Sequence, residues 1–204
     1  MSGSIINNRR IAKNTLLLYA RMLLMMGISL FTSRITLAAL GITDYGIYNV
    51  VGGMVAMFSI LSGSLSLSIS RYTTMEVGKG NIKKLKTIFS TSVSIQLFMA
   101  LLVGILAEVA GVWFLNHKMV IPSDRLYAAH WVLHFSILTF MIGLISVPYN
   151  ALIIAHEKMS AFAYVSILDA SLKLLIVYLL YISPVDKLIV YAGLLACVSI
   201  VIRI

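Results

Sequence analysis

Five ionisable residues stand inside long apolar stretches of the chain: Arg21, Arg34, Glu108, Asp169 and Lys173. A charge at mid-membrane depth costs about 2.5–3.5 kcal/mol even on insertion scales, so each must be paired or face water, and each is a candidate for function. Asp169 and Lys173 are four apart and share a helical face. A self-neutralised pair that eases insertion and a cavity-facing site both fit that spacing. Arg21 lies about two turns from one end of its stretch and can snorkel there, and Arg34 has the corresponding escape at the other end. Thirteen residues at about 100° each put the two arginines on different faces. One cavity takes both only if Gly27 lets the helix bend. Glu108 is nearer the end of its stretch, where solvation and function are both open to it.

Hydroxyls and imidazoles form two further groups. Ser59, Ser62, Ser66 and Ser70 recur at three and four residues on one face, near Gly52 and Gly63. Close helix packing with back-bonded hydroxyls accounts for them, and so does a polar cavity wall offered to a sugar or headgroup. His130 and His134 have a spacing that suits a metal, but the string HWVLH lacks the glutamate of a zinc-protease motif and no third ligand is evident. An interfacial pair beside Trp131 is the simpler reading. Phosphate loops and nucleophile elbows are absent, so an enzyme reading has no residues to rest on.

The elements that position these residues follow from composition. Hydrophobic residues make up 60% of the 204 and charged residues 11%, with a mean hydropathy of +0.99. Too little polar surface remains for a water-soluble domain of this length. The net charge of +9 sits in the segments between apolar runs, which argues against nucleic acid as a partner. The single Cys197 lies in an apolar run and can form neither an intramolecular disulfide nor a thiolate cluster. The runs cover about 15–40, 45–70, 87–115, 127–155, 161–182 and 188–204, near or above the roughly 20 residues that cross a bilayer as helix. The expectation is an all-α, polytopic transmembrane helix bundle of six spans at 14–204, behind a polar N-terminal segment at 1–13. The first run is too long, and interrupted by arginines, for a signal peptide.

Lysine and arginine counts orient it. Arg9, Arg10, Lys13, Arg71, Lys79, Lys83, Lys84, Lys86 and Lys158 lie on the side of the N-terminus, against Lys118, Arg125 and Lys187 opposite. That bias predicts a cytoplasmic N-terminus. The basic segment 71–86 also suits anionic membrane lipid. Pro148 predicts a kink in the fourth span.

The stretch RITLAALGITDYGIYN, with Arg34, Leu40, Gly41, Tyr45, Gly46 and Tyr48, follows a long first span beginning near Asn14. It resembles the N-terminal signature of bacterial polysaccharide flippases of the multidrug/oligosaccharidyl-lipid/polysaccharide transporter superfamily. Arg71 before a basic loop, Pro148 before the break at His156, Glu157 and Lys158, and Lys173 in the fifth span are similar too. The resemblance implies one lobe of a two-lobe transporter, the second lobe being absent here. It also implies alternating access in the bacterial inner membrane and a polyprenyl-pyrophosphate-linked oligosaccharide as cargo for surface polysaccharide. Arg21, Arg34 and Lys173 would then meet the pyrophosphate, with Asp169, Glu108, Ser59, Ser62 and Ser66 as polar or coupling residues. No cofactor is implied, and coupling to H+ or Na+ stays open. Polysaccharide assembly proteins are expected partners. The alternatives are a cation-coupled multidrug exporter working through Glu108 or Asp169, and a non-transporting scaffold of a glycan assembly complex.

Overall fold

The computed structural model describes residues 2–182 and 186–203, with side chains at 15–60, 63–161, 163–181 and 186–203. It is an all-α bundle without strands among those residues. The helices are α1 (Ser2–Met57), α2 (Ser59–Lys79), α3 (Ile82–His117), α4 (Leu126–Ile145), α5 (Val147–Ala155), α6 (Met159–Ile182) and α7 (Lys187–Arg203). The turn expected at 183–187 falls largely outside the described residues.

Gly41 divides α1. Its φ of 82° and ψ of 170° lie in a region that residues with a Cβ scarcely enter. Met25 and Asn49 line the same cavity, yet 24 residues of straight helix would hold them about 36 Å apart. The chain therefore folds back at Gly41, and the four-residue turn expected from sequence is one non-helical residue. Four helical stretches are long and apolar enough to cross a membrane: Thr15–Met57, Ile82–His117, Leu126–Ala155 and Met159–Tyr181. The first, at 43 residues, carries both limbs of this fold. The chain is thus a multi-pass membrane protein. Large apolar side chains such as Leu23, Phe98, Ile105 and Val109 cover its exterior, as a lipid-facing surface requires.

Pairs of contacts fix the helix directions. Arg21 meets Ser166, and Ala39 and Leu40 pack on Ile176, Val177 and Leu180, so the first limb of α1 runs parallel to α6. Gly104 faces Met141 and Gly111 faces Leu133, so α3 and α4 are antiparallel. Gly193 faces Phe135 and Gly143 faces Arg203, so α4 and α7 are parallel. The first and fifth of the expected runs are thus parallel, as are the fourth and sixth, and the third is antiparallel to the fourth. The second limb of α1 contributes Ile47, Val51 and Val55 to the main core, with Ala129, Val132 and Leu133 of α4 and Leu188 of α7.

Two boundaries differ from expectation. The second span, read as ending near Ser70, continues as helix to Lys79, where Gly80 caps it in the left-handed region. It is also interrupted at Phe58. Pro148 behaves as expected, in the first turn of α5, directly after the break at Ser146.

Gly41→Ala should cost roughly 1–3 kcal/mol of stability, the usual size of such backbone strain. Gly46→Ala, at a helical position with open space around its new Cβ, should be neutral or stabilising. Thermal unfolding of both variants in detergent checks the contrast.

Candidate functional site

Lys173 is the centre of the site. Its Nζ donates to Asp169 Oδ2 at 2.7 Å one turn away on α6. Lys173 also lines two adjoining cavities, of about 400 and 260 Å3. The pair is therefore both internally neutralised and cavity-facing, the two readings left open above. Tyr48 is the other residue common to both cavities, so Tyr48 and Lys173 form the partition between them. Tyr48 is held by an edge-on contact with Tyr191, ring centroids 4.9 Å apart.

The larger cavity is lined by the second limb of α1, α4, the start of α5, α6 and α7, with Ser136, Thr139 and Ser199 as hydroxyls and Arg203 as a second cation. Arg203 passes Gly143, where an added Cβ would stand 2.8 Å from Nη1, and donates to Ser146 Oγ at 3.1 Å. The smaller cavity is hydroxyl-rich: Ser29, Thr32, Ser33, Thr36 and Tyr45 line it with Asn49 and Asp169. Thr36 donates to the Thr32 carbonyl at 2.8 Å and Ser33 to the Ser29 carbonyl at 2.9 Å. Back-bonding of this kind leaves the oxygen lone pairs available as acceptors. Thr32 Oγ1 is buried without a partner. A cationic compartment thus adjoins one that offers hydroxyls, a combination suited to a ligand with an anionic part and a polyhydroxyl part.

The remaining candidates lie elsewhere. Arg21 Nε donates to Ser166 Oγ at 2.9 Å, one turn below Met25 in the lining of the smaller cavity. The helix is unbroken through Gly27, so the bend that would have brought Arg34 beside Arg21 does not occur. Arg34 is exposed and lines neither cavity. Glu108 Oε1 stands 2.9 Å from His134 Nδ1, joining α3 to α4 at a half-exposed place with Trp131 beside it. Ser59 and Ser66 border neither cavity; Ser62 lies outside the described side chains. The second span instead meets the cavities through its first half, Tyr45 to Ala56.

Sequence reasoning missed two features. One is Arg203, which was not among the candidate residues of the last run. The other is an ion cluster joining three connections at one end of the bundle. Arg125 Nη1 donates to Asp186 Oδ2 at 2.9 Å, and its Nε lies 3.4 Å from Asp44 Oδ1. Asp44, in the turn after Gly41, is only 6% exposed. Burial pushes its carboxyl up, and the Arg125 guanidinium opposes that rise. The signal available was positional: all three residues border spans on the side that carries few cations.

Comparison with protein-family models, with curated proteins and with solved structures gives no match to the chain.

Lys173→Leu would leave Asp169 as a lone carboxylate at membrane depth. Its cost should be roughly 1–3 kcal/mol, below the ~3–5 of a fully buried pair, because the side chains keep 42% and 25% of their surface open. Lys173→Leu with Asp169→Leu should recover most of that loss. Thermal unfolding of the two variants in one detergent reads the difference.

Proposed function

We propose that the chain forms the N-terminal lobe of a flippase that moves a polyprenyl-pyrophosphate-linked oligosaccharide across the bacterial cytoplasmic membrane by alternating access. Six crossings with a cytoplasmic N-terminus belong to this proposal. The observation that carries it is Lys173, a cation at membrane depth between a compartment with a second cation, Arg203, and a compartment rich in hydroxyls. A diphosphate moving through hydrocarbon needs cationic partners that are themselves kept charged. Asp169 is the counter-charge that Lys173 meets on its own helix. The sequence resemblance around Arg34 to Tyr48 points the same way.

Exchange of a cation is supported less well. Both acids that would bind it are already engaged by a base, Asp169 by Lys173 and Glu108 by His134. A passive scaffold has no use for a cationic, hydroxyl-lined cavity.

The test is complementation of cells lacking the full-length gene, scored by the leaflet that holds the lipid-linked oligosaccharide. Wild type should restore outward-facing oligosaccharide. Lys173→Gln should lower the outward fraction by roughly tenfold, the loss expected from one charge-assisted contact, at unchanged protein level. An unchanged leaflet distribution between wild type and null cells sinks the flippase reading. Loss confined to drug resistance and to Glu108→Gln supports the exporter instead.

A further inference from the structure

Between α2 and α3, at the end where Gly80 joins them, lies a groove of about 450 Å3 that shares no lining residue with the cavities around Lys173. Leu65, Ile69, Met75, Ile88 and Ile95 make its walls apolar. Its mouth is basic. The segment 71–86 carries Arg71, Lys79, Lys83, Lys84 and Lys86 against one acid, Glu76.

Glu76 is what turns this charge excess into a built feature. Its side chain is 1% exposed, and Oε1 lies 3.4 Å from Lys79 Nζ and 3.5 Å from Lys84 Nζ. Each lysine still leaves more than half of its side chain open, 56% and 59%. One carboxylate therefore tethers two ammonium groups at the groove without neutralising both. The backbone assists: Gly80 turns in the left-handed region, and Asn81 Oδ1 accepts from Lys84 N at 3.1 Å, which starts α3 immediately. Lys79 and Lys84 are thereby brought to one acid. Topology alone asks only for basic residues in the connection. It does not ask that two of them be fixed to a buried carboxylate beside an apolar channel.

The geometry points to a binding site for an anionic phospholipid, with its phosphate headgroup at Lys79 and Lys84 and one acyl chain along the groove. The α3 wall belongs to a helix apolar enough to cross a membrane, so lipid meets this face, and the charge at the groove's end selects among headgroups. Long lysine stems lie along apolar surface while their ammonium groups reach the headgroup level. The inference is independent of what the Lys173 cavities carry.

The full chain in mild detergent is titrated with phosphatidylglycerol or phosphatidylcholine of the same acyl composition, and bound lipid is counted by native mass spectrometry. Phosphatidylglycerol should be retained at roughly tenfold lower concentration than phosphatidylcholine, the scale of favourable contact with two lysines. Lys79→Gln and Lys84→Gln, combined with Glu76→Gln so that no buried acid is left unpaired, should abolish that preference. Lys118→Gln, at the opposite end of α3, changes the net charge by the same single unit and should leave the preference intact. Thr91→Trp, which fills the groove from an exposed wall position and alters no charge, should lower retention of phosphatidylglycerol. The site is refuted by equal retention of the two lipids in wild type. It is refuted equally by a loss with Lys118→Gln as large as with the triple variant, or by full retention in a folded Thr91→Trp protein.

Discussion

Hydrocarbon offers no water to an unpaired polar group, and the arrangement of this bundle follows from that constraint. Lys173 is met by Asp169, Arg21 by Ser166, Glu108 by His134 and Arg203 by Ser146. Three of these four contacts cross between helices and so fix which helix stands beside which. The fourth, Lys173 with Asp169, stays within one helix. At the bundle's end the same logic gathers Asp44 and Asp186 on Arg125, tying the turn at Gly41 to the approaches of α4 and α7.

Packing supplies what the hydrophobic effect does not in a lipid solvent. Small residues let the helices close: Ala100, Ala107 and Ala129 are fully buried. Cβ atoms added at Gly104 and Gly111 would stand 2.7 Å from Met141 Sδ and 2.6 Å from Leu133 Cδ1. Gly143 has a different use. Its missing side chain is the space through which the Arg203 guanidinium reaches Ser146, so a packing residue and a cavity cation are one feature.

The long apolar helical stretches in α1, α3, α4 and α6 were legible because hydropathy reads apolar length directly. Helix ends were less so. Loss of hydropathy at Arg71 marks where the membrane face ends, whereas arginine, glutamate and lysine are good helix formers, and α2 continues to Lys79. Phe58 interrupts the second span without glycine or proline to announce it. Of the candidate site, Lys173 and Asp169 were legible because their interaction is local, at a spacing that fixes it. Glu108 and His134 were each noticed alone, and Arg203 was not singled out, because partners on different helices depend on register that spacing within one helix does not contain. Arg34 carries the opposite lesson. Its position inside an apolar run suggested a cavity, but its face was decided by a helix unbroken at Gly27.

On the proposed reading, the Asp169–Lys173 pair sets how tightly a diphosphate is held. With Lys173 Nζ 2.7 Å from Asp169 Oδ2, an incoming phosphate must share the lysine with a carboxylate one helical turn away. Repulsion between the phosphate and Asp169 then offsets part of the attraction to Lys173 and Arg203. Carriage requires that balance, because a site that binds too strongly in one leaflet does not release in the other. Removing Asp169 would therefore be expected to weaken turnover by the route opposite to removing Lys173. The acid matters to transport as the group that keeps the base only partly available.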